Sequence, residues 1–207
     1  MDGLRVVDLT ANVAGPLACQ VLCDLGADVI KVEPPMGEAA RRITATVPGF
    51  EHVTPYFSPN NRGKKSVRLD LGEPADAEEL ERLVAVADVV VQGMRPGTME
   101  RHGLGPSGVA ELNPGCVYVS ISAYGGGSDL EDRPGIDMIV QAEAGCLSGQ
   151  PPGRPPRLIP FQIIDGPPAT SWRRPCWPRF CTGNASAWST RCGSRCTTSH
   201  AACSRTT

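Results

Sequence analysis

The amino-acid sequence predicts an α/β protein built on a mostly parallel, Rossmann-like sheet. Three observations carry that prediction. Short apolar runs alternate with helical patterns in the order β-α-β, then β-α-β-α-β. The run "ADVIKVE" is nearly continuous in apolar residues, as expected of a strand covered on both faces. The segments between runs carry helix start and stop signals, with Pro16 suited to a first turn and Gly26 to a stop.

Taken in order, "LRVVDLT" is a short apolar strand. "GPLACQVLCDLG" follows as a helix whose Leu17, Val21, Leu22 and Leu25 share one face. "ADVIKVE" closes a β-α-β unit, for which a right-handed crossover is expected. The stretch "GEAARRITATVPGFEHVTPYFSPNNRGKKS" is polar and rich in Pro and Gly, and reads as a long surface excursion. "SVRLDL" is a strand, and "EPADAEELERLVAVA" is a helix with an acidic start that complements its dipole. "DVVVQGM" is a strand, "RPGTMERHGL" begins the next turn, and "SGVAELNPG" is a short helix ended at Pro114. "CVYVSISAYG" is a strand and "DMIVQAEAGCLSG" a further helix. "GQPPGRPPR" reads as a rigid linker, and "LIPFQIID" as a last strand ending in an acid.

The totals narrow the function. The formal net charge is −2 over 207 residues, which favours neither a nucleic-acid nor a membrane partner. No apolar run reaches the ~18–20 residues that cross a bilayer. A basic region followed by an apolar stretch is missing from the N-terminus, so a cytoplasmic protein is expected.

The last part of the chain departs from the rest. Every Asp and Glu lies at or before Asp165. Residues 166–207 hold six Arg, all three Trp and five of the nine Cys, and no Leu, Ile, Val or Met. Such a segment lacks the residues that build a core. Its cysteines (Cys176, Cys181, Cys192, Cys196 and Cys203) lack the paired C-x-x-C units of a zinc site, and a cytosolic enzyme rarely needs a disulfide. A shifted reading frame explains the composition better than a disordered extension does. Joining the last base of each codon to the first two of the next, "TSWRRPCWPRFCTGNASAW" can be re-read as "LLAPAVLAALLHRERERV" and "STRCGSRCTTSHAAC" as "HAVRVSLYDVACSL". The first is a helix pattern and the second contains an alternating strand pattern. The expected organisation is therefore an α/β domain over 1–165 and an aberrant, poorly ordered tail over 166–207.

Chemistry-bearing motifs are few. "ANVAGP" replaces the G-x-G-x-x-G of a dinucleotide site, and "GGGS" at 125–128 lacks the Lys-Ser/Thr of a phosphate loop. His52, His102 and His200 show no metal-ligand spacing, and no G-x-S-x-G elbow occurs. Carboxylates remain. Asp8 and Asp70 close strands and read as structural. Asp137 opens a helix. Asp165, beside "LIPFQII", reads either as a poised nucleophile or as a helix N-cap.

The blocks "GLRVVDLT", "GADVIKVEPP", "NRGKKSVRLDL", "ADVVVQGMRPGTMERHGLG", "LNPGCVYVSISAYG", "RPGIDMIVQAEAG" and "IPFQIID" follow one another with family-like gaps. In that order they resemble the class III CoA-transferase family, which includes formyl-CoA and carnitine CoA-transferases and the α-methylacyl-CoA racemases. The resemblance covers roughly residues 1–165, and the re-framed tail resembles the family's next helix and strand. It implies the N-terminal portion of a Rossmann-like large domain, a smaller domain besides, and an interlocked homodimer. Acyl-CoA and a carboxylic acid acceptor are the implied substrates, with coenzyme A as the carried group and no metal. Asp165 matches the catalytic aspartate, whose carboxylate attacks the acyl-CoA thioester. Val13 and Ala14 match adenine-side contacts, and Leu69 another part of the CoA groove. Gly93, Met94 and Arg95 match a loop after a central strand, and Arg101 a phosphate-binding arginine. Arg133, Pro134, Gly135, Ile136 and Asp137 match a stretch lining the pantetheine. The racemase branch has a His where Ile136 stands, so racemization, which needs a base at that place, is the lesser expectation. An inactive CoA-binding remnant is the other alternative.

Overall fold

A computed structural model describes residues 1–43, 49, 54–125, 129–147, 155, 157–160 and 162–166. The tail beyond Gly166 and most of the Pro-rich linker lie outside the described residues. Among the described residues five strands form one sheet: β1 (Arg5–Leu9), β2 (Asp28–Glu33), β3 (Lys65–Arg68), β4 (Val89–Gln92) and β5 (Val117–Ser120). Their order is β3-β2-β1-β4-β5, and every pairing is parallel. This is the doubly wound order, in which the chain steps outward from β1 to β3 and then returns to the other side of β1.

Each helix covers the face its connection dictates. Helix α1 (Ala14–Asp24) joins β1 to β2 and packs Ala18, Cys19 and Leu22 against Val6, Val29, Val89 and Val91. Helix α2 (Pro74–Ala85) joins β3 to β4. Its Leu80 and Val84, one turn apart, pack on the opposite face with Val7, Leu9, Val32 and Val90. Residues from α3 (Thr98–Arg101) and α4 (Pro106–Leu112) complete that layer through Met99 and Val109. Successive β4 residues therefore feed two different cores, which is why "VVV" is apolar without alternation. Helix α5 (Asp137–Glu143) begins at an acid as expected. Among the described residues no helix is long and apolar enough to cross a membrane.

Two expectations need correction. The described part of "LIPFQIID" is not a strand: residues 163–165 form a turn. Pro160 has no N–H to offer a ladder, and the amides of Ile164 and Asp165 donate instead to the Asp137 carboxylate. The long excursion after β2 is also only partly a surface feature. Ala40, Thr54, Phe57 and Asn61 within it are buried, and short 3-10 turns stand at Ala39–Arg41 and Ser58–Asn60.

That packing rests on a charge pair. Glu33, at the end of β2, is buried and accepts two hydrogen bonds from Arg41, at 2.7 and 2.6 Å. Arg41 also lies over the Phe57 ring, 3.8 Å from its centroid. Burial alone would raise the Glu33 carboxyl, but Arg41, the Glu38 amide and Ser66 outweigh it and hold it at about 2. The folded value lies below the ordinary 4.5, so the stabilisation is complete above that value and is lost as pH falls towards 2. We expect the melting temperature to fall through this window. Arg41→Met should melt lower at neutral pH and show a flatter acid limb in a thermal-melt series.

Candidate active site

A cavity of about 1000 Å³ opens at the C-terminal ends of the strands. It is bordered by the loops after β1 (Thr10–Gly15) and β4 (Gly93–Pro96), the two neighbouring strands at which the winding reverses. Crevices at such a reversal are where ligands enter doubly wound sheets. Residues following β5, the segment 131–141 and residues 158–160, 162, 164 and 165 close the remaining sides.

Two glycines permit this shape. A Cβ at Gly15 would stand 2.3 Å from the Thr10 side chain, so only glycine lets α1 begin so close to β1. A Cβ at Gly135 would stand 2.2 Å from the Ala123 Cβ, so glycine lets "RPGID" lie against the segment after β5.

Asp165 is half-buried and borders the cavity. Its carboxyl makes no hydrogen bond to a described side chain or amide; Gly166, the next residue, is helical, and the amides that an N-cap at Asp165 would hold lie outside the described residues. Asp137, buried at the start of α5, holds the segment behind it. One Asp137 oxygen accepts the amides of Ile164 and Asp165 at 2.8 and 3.0 Å, and the other accepts the Gln141 side-chain amide. Burial, and secondarily the nearby Asp137 charge, push Asp165 up to about 6. Near neutrality it is therefore mostly ionised yet more basic than an exposed aspartate, a useful combination for a nucleophile. A rate that needs the ionised form should fall about tenfold per pH unit well below 6. A kcat/KM profile over that range checks this.

Tyr56 was not anticipated. It borders the cavity from within the segment read as a surface excursion. Gln162 donates its side-chain amide to the Tyr56 hydroxyl at 2.8 Å, which leaves the hydroxyl proton to be offered elsewhere. Burial pushes this phenol up, with the Asp165 charge adding to it, so the proton stays in place. The available signal was the aromatic pair in "TPYF", set among prolines and glycines.

The structure brings most of the expected residues together. Val13, Ala14, Gly93, Met94, Arg95, Arg133, Pro134, Gly135, Ile136, Asp137 and Asp165 all border this one cavity. Arg95 is exposed and has no ion-pair or hydrogen-bond partner for its side chain among the described residues, which suits it to a phosphate. Arg133 is engaged with Glu143 at 2.6 Å, and Tyr124 donates to the same carboxylate at 2.6 Å. Two expected residues lie apart from the cavity lining. Leu69 packs its side chain in the core with Val7, Leu9 and Val32. Arg101 ends α3 and donates to the Thr98 hydroxyl at 3.2 Å.

The profile of CoA-transferase family III matches residues 1–172. The chain belongs to that family. Among curated family III relatives, it is 54% identical over 166 residues to "Probable fatty acyl-CoA transferase Rv3272" of Mycobacterium tuberculosis. It is 40% identical over 168 residues to a succinyl-CoA:mesaconate CoA-transferase of Haloarcula hispanica. These alignments cover 80% and 77% of this chain but 42% of each relative, so the chain spans well under half of their length. Solved structures agree. A crystal structure of Rv3272 superposes with a TM-score of 0.79 at 49% identity, over 87% of this chain and 50% of that one. A CAIB/BAIF family protein from Brucella suis gives 0.78 at 34% identity, over 88% and 50%. The family III assignment accounts for a sheet that has a Rossmann-like order without the dinucleotide glycines.

Proposed function

We propose that this chain is the N-terminal part of an enzyme that moves CoA from an acyl-CoA donor to a carboxylic acid, with Asp165 as covalent nucleophile. The observation that carries the reading is a half-buried carboxyl at the cavity's edge, unpartnered among the described residues and raised to about 6. The ionised Asp165 oxygen attacks the thioester carbonyl. A mixed anhydride forms and CoA thiolate leaves. The thiolate then attacks the Asp165 carbonyl, giving an aspartyl thioester and releasing the donor acid with one former aspartate oxygen. The acceptor carboxylate attacks that thioester, regenerating an anhydride and free thiolate. Attack of the thiolate on the acceptor carbonyl yields the new acyl-CoA and restores Asp165, which keeps one acceptor oxygen.

The chain's own residues have matching roles in this reading. Asp137 holds the nucleophile's backbone, Tyr56 offers a proton to developing oxyanion charge, and Arg95 takes a phosphate of the carrier. Leu69 and Arg101 would contribute to the CoA groove outside the cavity proper. Ile136, half-exposed in the cavity, offers no base, which favours transfer over racemization. The reading includes a cytoplasmic homodimer and a frame shift near Gly166; sequencing the DNA around codon 166 tests the latter. The direct test supplies the chain with acetyl-CoA or succinyl-CoA and a panel of carboxylates, and follows new thioesters by mass spectrometry. Transfer supports the proposal. Solvent deuterium entering the α-carbon without transfer favours the racemase branch, and neither reaction favours a binding remnant.

A further inference from the structure

The buried charges beneath the cavity do something the transfer chemistry does not use. Asp8, Lys31, Glu38 and Lys64 are all essentially excluded from water. Two are acids and two are bases, so the group is neutral, as a buried cluster must be to remain tolerable. Lys64 donates to Asp8 at 2.8 Å, to the Pro16 carbonyl at 2.8 Å and to Asn61 at 2.9 Å, which satisfies all three of its protons. Lys31 and Glu38 differ, because both reach the loop between β1 and α1.

Lys31 donates to the Thr10 carbonyl at 2.8 Å. Glu38 accepts the Asn12 amide at 2.7 Å with one oxygen, and its other oxygen lies 2.7 Å from the Lys31 ammonium. The two side chains thus grip one loop by a carbonyl and an amide, two residues apart, and lock each other. At the second grip the backbone does something costly. Asn12 has a φ of 67°, the one positive value outside glycine among the described residues. Asparagine tolerates this region better than most residues but still prefers others. Asp8 accepts the Thr10 amide and hydroxyl at the start of the loop, but Val13, the N-cap of α1, supplies no side-chain cap, so beyond Thr10 the loop is held by Glu38. Thr10 to Gly15 border the cavity throughout.

We propose that Lys31 and Glu38 form a two-charge clamp that sets the shape of the ligand-binding β1–α1 loop, which makes Glu38 a positioning residue for coenzyme A. The ligand half of this proposal rests on the functional reading above; the clamp itself does not. Hydrophobic replacements could fill the same space, but they could not hold an amide and a carbonyl in opposite senses. In some proteins a buried ion pair serves to specify one backbone conformation. The arrangement is invisible in local sequence, because Glu38 lies 26 residues from the amide it holds.

The test uses the 207-residue chain with Glu38→Gln, Glu38→Ala and, as a remote control, Leu80→Ala in the α2 core. Glu38→Gln keeps an acceptor for the Asn12 amide and removes the charge facing Lys31; Glu38→Ala removes both. Hydrogen exchange read by mass spectrometry on a peptide spanning residues 10–17 should accelerate in the order wild type, Glu38→Gln, Glu38→Ala, with strand β4 peptides unchanged. Calorimetric titration with coenzyme A should show Kd rising about tenfold in Glu38→Ala and less in Glu38→Gln. Leu80→Ala should melt lower yet keep Kd within about twofold. The clamp is overturned if the Glu38 variants melt lower while loop exchange stays at the control's level. Its role in binding is overturned if exchange accelerates while Kd is unchanged. A wild-type chain that binds no coenzyme A sinks the functional reading and the ligand half together, and the exchange result then decides the clamp alone. If Glu38→Ala fails to fold, Glu38→Gln carries both readouts.

Discussion

Asp165→Asn should lower CoA transfer by at least about a thousandfold, the expected result of removing the proposed covalent nucleophile while keeping its shape. The amide nitrogen cannot attack a thioester. Asp137 is a poor substitute, because both of its oxygens are occupied by hydrogen bonds. The same substitution separates catalysis from folding. The fold raises Asp165 to about 6, so above that pH it pays to keep this group charged, and a neutral isostere relieves the cost. The variant should therefore melt at the same temperature as the parent or higher at pH 8, as followed by circular dichroism. A parallel loss of activity and of melting temperature would point to a structural carboxyl.

The second large effect belongs to Asp137, and its two substitutions should part company. Asp137→Ala strips the acceptor from the amides of Ile164 and Asp165 and frees the turn that carries the proposed nucleophile. Displacement by about an ångström can cost about a hundredfold in rate, so kcat should fall by roughly that factor. Asp137→Asn can still accept those amides but carries no charge. Its negative charge is one cause of the raised Asp165 value, so removing it should move the acid limb of the pH profile below 6. Stopped-time assays across pH on both variants read the two effects separately. An acid limb that stays in place in Asp137→Asn would leave burial as the whole cause.

The sheet was legible because each of its signals is local. Apolar runs bounded by Gly and Pro marked β1, β2, β4 and β5, and the acidic start of "EPADAEELERLVAVA" marked α2. The loops around Val13 and Gly93 were singled out only by the family resemblance; in the fold both border the cavity, at strand ends beside the winding reversal. What escaped was set by contacts between distant residues. "LIPFQIID" has the composition of a buried strand, yet its amides face the carboxylate of Asp137, 27 residues away. Lys31 and Glu33 interrupt an apolar strand without showing that their partners lie in a Pro- and Gly-rich stretch. That stretch read as surface because its polar residues look solvated one by one. Paired with β2, Arg41 and Glu38 hold it inside, and Tyr56 reaches the cavity as a result.

One measurement bears most directly on the central claim that Asp165 takes the acyl group from its carrier. The chain is incubated with an acyl-CoA and hydroxylamine, cut with trypsin, and the peptide spanning residues 158–173 is sequenced by mass spectrometry. The account predicts a hydroxamate on Asp165 that forms only when acyl-CoA is present. An unmodified Asp165 under those conditions, or a hydroxamate on a different carboxyl, would contradict it.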